Sequence, residues 1–255
     1  MAAGVAGSAR AAGGACTGEV LGFDIRSVDR DEVLRYLGHA GQELGADLEA
    51  RVDADVARCI EVSRPAGVVR VFECAEATEE DGRFVQRLEG TALELPGESM
   101  RAYLAGARAV GVFAVTLGMA NERELRRLSL TSRVDELILD AASSALVERA
   151  ADAAEARVVR EAADRGLYTN YRFSPGYGDL PMSVQPTLLA TLDAQRRLGI
   201  ALSSTRLMTP TKSATALVGL YGSPQGQTRL SCKGCICHDF CLLRPTGRTC
   251  YGKRH

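Results

Sequence analysis

The sequence predicts an α+β fold on a mixed or antiparallel sheet, and three observations carry that expectation. Strand-like and helix-like segments do not alternate regularly, which speaks against a doubly wound parallel sheet. Residues 110–117 form a nearly continuous apolar run, Val-Gly-Val-Phe-Ala-Val-Thr-Leu, as a central strand buried on both faces would. Ser132 opens a long segment, reaching about Asp164, with the small-residue content of a closely packed helix.

In chain order, Asp29 is an N-cap for a helix Arg30–Leu37, with Val33, Leu34 and Leu37 on one face and Gly38 as its stop. A second helix is expected over Ala46–Val62, ended by Ser63-Arg-Pro65. Val68–Cys74 is rich in β-branched residues and reads as a strand; Thr91–Leu95 alternates as a half-buried strand would, before Pro96-Gly97. Ser99 is expected to cap a short helix to about Ala107, and Asn121 another to Leu130. After 172–181 come a helix over roughly Met182–Leu198 and a strand Ala214–Tyr221. There is no internal repeat.

With 255 residues the chain can bury a sizeable core, and without Trp that core must come from Leu, Val and Ala. A net charge of −1 gives no electrostatic case for nucleic acid or membrane as partners. Charge is uneven, however: residues 229–255 hold six Lys or Arg against one Asp. The first residues are Ala- and Gly-rich and lack the apolar stretch of a secretory signal. No segment approaches the roughly 18 apolar residues that span a bilayer. The expected organisation is a disordered leader over 1–20, an α+β domain over 21–228 and a Cys-rich basic tail over 229–255, in a cytoplasmic protein whose thiols stay reduced.

The densest functional signal is Arg172-Phe-Ser-Pro-Gly-Tyr-Gly-Asp-Leu-Pro181. Pro175 fixes its own φ, and Gly176 can enter backbone conformations closed to other residues. The result is a tight bend with exposed amides between a guanidinium and a phenol, ahead of a helix that Pro181 can open. Such a bend suits a plain connection between helices. It can also hold a small ligand with a carboxylate and a polar head, because Arg172 pairs with carboxylates bidentately.

Downstream, a helix ending Arg196-Arg-Leu-Gly-Ile200 precedes Leu207-Met-Thr-Pro-Thr-Lys-Ser213 and the strand that follows it. This order resembles the S-adenosylmethionine-binding activation domain of cobalamin-dependent methionine synthase. That family carries Arg-x-x-x-Gly-Tyr, a helix closed by Gly, and a Met-x-Pro-x-x-Ser segment leading into a strand. Arg172, Gly176, Tyr177, Gly199, Met208, Pro210 and Ser213 match it. The resemblance is specific over about 130–225, weaker over 20–130, and looks like the free-standing form of the domain; after 229 it ends.

The resemblance implies a bent sheet flanked by helices, and a chain that binds S-adenosylmethionine. Arg172 would take the ligand carboxylate, and Glu148 its sulfonium or amino group. Ser174 would contribute backbone, and Gly176 and Tyr177 would complete the site. It also implies a role as activation subunit, for reductive methylation of cob(II)alamin on a partner methionine synthase or related corrinoid protein. An electron donor would complete the system, with this chain a component rather than a self-sufficient catalyst. Gly178-Asp-Leu-Pro181 departs from the family pattern, so contact with cobalamin at that point is not implied.

Other chemistries find little support. The three His, at 39, 238 and 255, lie in no nucleophile setting, and no Gly-x-Gly-x-x-Gly follows a strand. The second signal is Cys232, Cys235, Cys237 and Cys241, with Cys250 beyond: five of the eight cysteines within 19 residues. Thiolates so spaced can converge on an iron–sulfur cluster or zinc, with His238 and His255 as further ligands; free thiols are the plain alternative. A competing reading is thus an iron–sulfur or zinc-binding redox or accessory protein acting with a corrinoid methyltransferase. Cys16, Cys59 and Cys74 are isolated and are expected to be buried or incidental.

Overall fold

The computed structural model describes residues 18–39 and 41–226. In chain order these form β1 (Val20–Gly22), α1 (Arg30–Tyr36), α2 (Ala46–Val62), β2 (Ala66–Glu73), β3 (Thr78–Glu80), β4 (Arg83–Arg87), β5 (Glu94–Pro96), α3 (Glu98–Tyr103) and β6 (Ala107–Thr116). There follow α4 (Met119–Thr131), α5 (Arg133–Asp164), β7 (Tyr168–Thr169), a 3-10 turn (Met182–Val184), α6 (Gln185–Thr191), α7 (Ala194–Leu198), β8 (Ala201–Leu202), β9 (Met208–Thr209) and β10 (Ser213–Tyr221). The main sheet has the order β1-β2-β6-β10-β7 and every pairing in it is antiparallel, which resolves the mixed-or-antiparallel expectation. It is curled and flanked by helices, as the sequence resemblance implied.

The central strands β6 and β10 explain the apolar run. Along β6, Ala109, Phe113 and Val115 face one core, while Val110, Val112 and Ala114 face the other, which is the period-two alternation of a strand buried on both sides. The first core is closed by α5, whose small residues Ala142, Ala150 and Ala154 pack on the sheet with Leu146 and Val158. The small-residue stretch therefore serves close helix-to-sheet packing. The second core gathers α3, the β3-β4-β5 meander, α6 and the 172–181 bend through Met100, Tyr103, Leu95, Leu188, Phe173 and Leu180.

Several helix ends follow the sequence. Asp29 accepts from Asp31 N–H to open α1, Ser132 accepts from Asp135 N–H to open α5, and α2 ends at Ser63. Other expectations are corrected. Thr91 turns the chain, its Oγ1 donating to Leu88 O at 2.9 Å and accepting from Leu93 N–H, so β5 starts only at Glu94. Helix α4 is entered at Gly118, and Asn121 points inward instead of capping. Its Nδ2 donates to Ser143 Oγ at 2.8 Å and Ser63 Oγ at 3.0 Å in a fully buried cluster with Cys59. The helix expected over Met182–Leu198 is broken between α6 and α7, where Asp193 takes a left-handed φ of 54°. The short helix α3 ends at Tyr103, because Ala107 is recruited into β6. Among the described residues no helix is long and apolar enough to cross a membrane.

Candidate functional site

The bend that begins at Arg172 is fastened to the sheet one residue later. Phe173 and Leu217 of β10 exchange backbone hydrogen bonds of 2.8 and 2.7 Å, and the Phe173 ring is buried against Tyr103, their centroids 5.2 Å apart. Neighbouring side chains of an extended segment leave on opposite sides. With Phe173 in the second core, Arg172 is turned toward α5 on the other side of the sheet.

There it meets three carboxylates. Arg172 Nη2 donates to Glu148 at 2.8 Å, and Nη1 donates to Asp152 at 2.6 Å and Glu155 at 2.7 Å. Positions 148, 152 and 155 stand about one helical turn apart, so α5 presents them as a single acidic stripe. The contacts occupy three of the five N–H groups of a guanidinium. Burial works against the charged guanidinium, but the Asp152 hydrogen bond and the charges of Asp152 and Glu155 outweigh it, holding the Arg172 pKa above the ordinary arginine value. Three carboxylates around one guanidinium leave a formal surplus of two negative charges. Helix α1 flanks the stripe: burial raises the Tyr36 phenol pKa, the Arg35 hydrogen bond opposes this, and the charge of Glu148 raises it further. The Arg35 guanidinium lies 4.4 Å over the Tyr36 ring.

The remainder of the bend is held from α3. Gly176 N–H donates to Leu180 O at 2.8 Å, Tyr177 N–H to Ser174 O at 3.0 Å, and Leu180 N–H to Tyr177 O at 3.1 Å. Gly176 has φ 94° and Gly178 φ 52°, both in the left-handed region that a side chain resists. A Cβ on Gly178 would also lie 2.3 Å from Ser99 Oγ. Asp179 accepts from the backbone N–H groups of Glu98 (2.7 Å) and Ser99 (3.0 Å), so the cap of α3 comes from the bend and not from Ser99. Tyr177 is half-exposed and stands edge-on to Phe173 at 6.3 Å.

The structure thus brings together Glu148 and Arg172 in direct contact, with Ser174, Gly176 and Tyr177 along the same bend. Sequence reasoning missed Asp152 and Glu155, although their spacing after Glu148 was the available signal. It also missed Tyr36 and the capping role of Asp179. The expected thiolate ligands Cys232, Cys235, Cys237, Cys241 and Cys250 lie outside the described residues, as does Cys16. Among the described residues no group of three or more His, Cys, Asp or Glu could hold a metal ion. Cys59 is buried and Cys74 partly so.

Chemically, the arrangement offers a cation with hydrogen-bonding capacity to spare and an acidic surface beside it. A zwitterion suits both, with its carboxylate on the guanidinium and its cationic centres against the carboxylates.

No family model matches the chain, and no curated protein matches it. Among solved structures, it is similar to one described as the MetH reactivation domain bound to AdoHcy. The identity is 15%, the TM-score 0.61, and the match covers 90% of this chain and 85% of that one. The chain shares the fold of that domain.

Proposed function

We propose that the chain binds S-adenosylmethionine at the Arg172 bend and serves as a free-standing activation subunit for a cobalamin-dependent methionine synthase or related corrinoid protein. What carries this reading is a guanidinium on an acidic helix face, within a fold that another protein uses to hold AdoHcy. The cobalamin, carried by the partner, supplies the methyl acceptor. This chain's own residues bind and orient the donor. Arg172 fixes the carboxylate, and Glu148 with Asp152 faces the amino and sulfonium groups. The bend sets the direction of the methyl, and transfer gains from such placement. A separate donor supplies the electron that reductive methylation requires.

The negative surplus gives this reading a charge signature. S-adenosylmethionine carries a sulfonium that S-adenosylhomocysteine lacks, so the acidic stripe favours the former. Calorimetry with both ligands tests it: Glu148→Gln is expected to weaken S-adenosylmethionine by roughly tenfold, and S-adenosylhomocysteine less. Equal loss for both ligands, or no binding of either to the wild type, overturns the site. Co-purification with a corrinoid protein tests the partner.

The cysteine spacing over 232–250 favours a second element of the proposal, an iron–sulfur cluster that relays the electron, with structural zinc as its rival. Anaerobic metal analysis with electron paramagnetic resonance separates the two, and one zinc per chain without iron removes the relay.

A further inference from the structure

Where α1, α2 and the first turns of α5 meet, the surface is apolar. A cleft of about 300 Å³ opens there, floored by the buried Leu34, Val52 and Ile138 and edged by Leu48, Val134 and Leu137. The three edge residues are exposed, Leu137 to 63%. Single exposed apolar residues are ordinary on a protein surface, but an apolar strip continuous with an apolar cleft gains from being covered.

The charges around Leu137 indicate what covers it. At 3.6 residues per turn, Arg133 and Asp140 stand about 40° and 60° to one side of Leu137, while Val134, Ile138 and the cleft lie to the other. An antiparallel two-fold contact between two α5 helices reverses direction along the axis but keeps these sides together. With Leu137 at the crossing, a residue four positions before it meets one three or four positions after it in the second copy. Arg133 of each copy then meets Asp140 of the other, and cleft meets cleft. Arg133 donates to Glu136 at 2.6 Å and Lys212 to Asp140 at 2.8 Å, yet the Arg133 and Asp140 side chains stay 77% and 54% exposed. Each therefore keeps hydrogen-bonding capacity for a second partner. One patch thus complements itself in charge as well as in apolar character, as a contact between identical chains requires.

We propose that this patch is the interface of a homodimer in which two α5 helices pack antiparallel about Leu137. Leu48, Val134 and Leu137 of each copy cover the cleft of the other, and two Arg133–Asp140 pairs flank them and fix the register. Leu137 lies about 16 Å along α5 from Glu148, and the contact needs no ligand at Arg172.

The test is sedimentation equilibrium of the full chain over the micromolar range. The wild type is expected to dimerise, and Leu137→Glu, at an exposed site, should raise the dissociation constant at least roughly tenfold. Arg133→Glu and Asp140→Arg each set like charges against one another on the flank and should each weaken the dimer by roughly tenfold. Mixing these two variants should restore association, because only the mixed dimer carries opposite charges in both pairs. Restoration also shows that both variants are folded. If circular dichroism finds either charge variant unfolded, Leu137→Glu decides alone. A wild type that stays monomeric overturns the proposal and leaves the patch to a different protein or an apolar small molecule. A dimer indifferent to Leu137→Glu overturns it too, as do folded charge variants that associate no better mixed than apart.

Discussion

Arg172 and Glu148 lie 2.8 Å apart across the gap between the bend and α5, in a contact shared with Asp152 and Glu155. Because the guanidinium neutralises only part of that stripe, its removal should act unequally on stability and on binding. For Arg172→Ala, S-adenosylmethionine affinity is expected to fall by about 2–4 kcal/mol, the usual cost of removing one partner of a desolvated charge pair. Unfolding stability should fall by only about 1 kcal/mol, since like charges one helical turn apart on a helix surface repel by a few tenths each. Calorimetry and urea titration of the same variant measure the two losses, and comparable losses would assign Arg172 a structural role alone.

The Asp179 cap makes a pH-dependent prediction. Partial burial opposes its ionised form, but the Ser99 hydroxyl and the N–H groups of Ser99 and Glu98 outweigh it, so the folded-state pKa lies below the ordinary aspartate value. A depressed carboxylate pKa adds stability that is complete above the unfolded value, near about 3.9, and is lost as pH falls through the folded one. Asp179→Asn should cost about 1 kcal/mol at pH 7 and flatten the acid limb of stability against pH. An unchanged acid limb would show that other carboxylates govern it.

Gly178 meets two obstacles, its positive φ and Ser99 Oγ. Gly178→Ala is expected to destabilise by roughly 2–3 kcal/mol, adding overlap to a conformational penalty of about 1–2. Adding Ser99→Gly removes the overlap and should recover part of the loss, leaving the conformational share. Denaturant melts of the four-member cycle measure the coupling.

Tyr103, at the end of α3, joins the segment before the bend to β10. Its hydroxyl donates to Tyr171 O and accepts from Gly219 N–H at 3.0 Å, while burial drives the phenol pKa upward. Tyr103→Phe leaves both backbone groups unsatisfied and should cost about 1–3 kcal/mol. Hydrogen exchange at the Gly219 amide is expected to accelerate with it.

The sequence made the long elements legible because each has a chemical start and stop: Asp29 for α1, Ser132 for α5, the apolar runs for β6 and β10. The β3–β4 hairpin escaped despite its clearest mark, the pair Asp81-Gly82 with positive φ at both residues, the backbone of a two-residue hairpin loop. Its short strands carry many charges and mask the alternation. Asn121 and Ser99 have the residue type of caps, yet tertiary partners decided their roles: Ser63 and Ser143 drew Asn121 inward, and Asp179 took over α3 from 80 residues away. At the candidate site Arg172, Gly176 and Tyr177 were visible as a motif, whereas the acidic partners became visible only once α5 was laid beside the bend.

The bend is secured at two points, at Phe173 by strand β10 and at Asp179 by helix α3. A ten-residue segment clamped this way has already surrendered most of its freedom when the chain folds, so a ligand arriving there has little ordering left to impose. Encounter should then be a matter of diffusion and charge, with selectivity expressed in how long a ligand stays, and the same rigidity would present a bound methyl group to a second protein along one fixed line of approach.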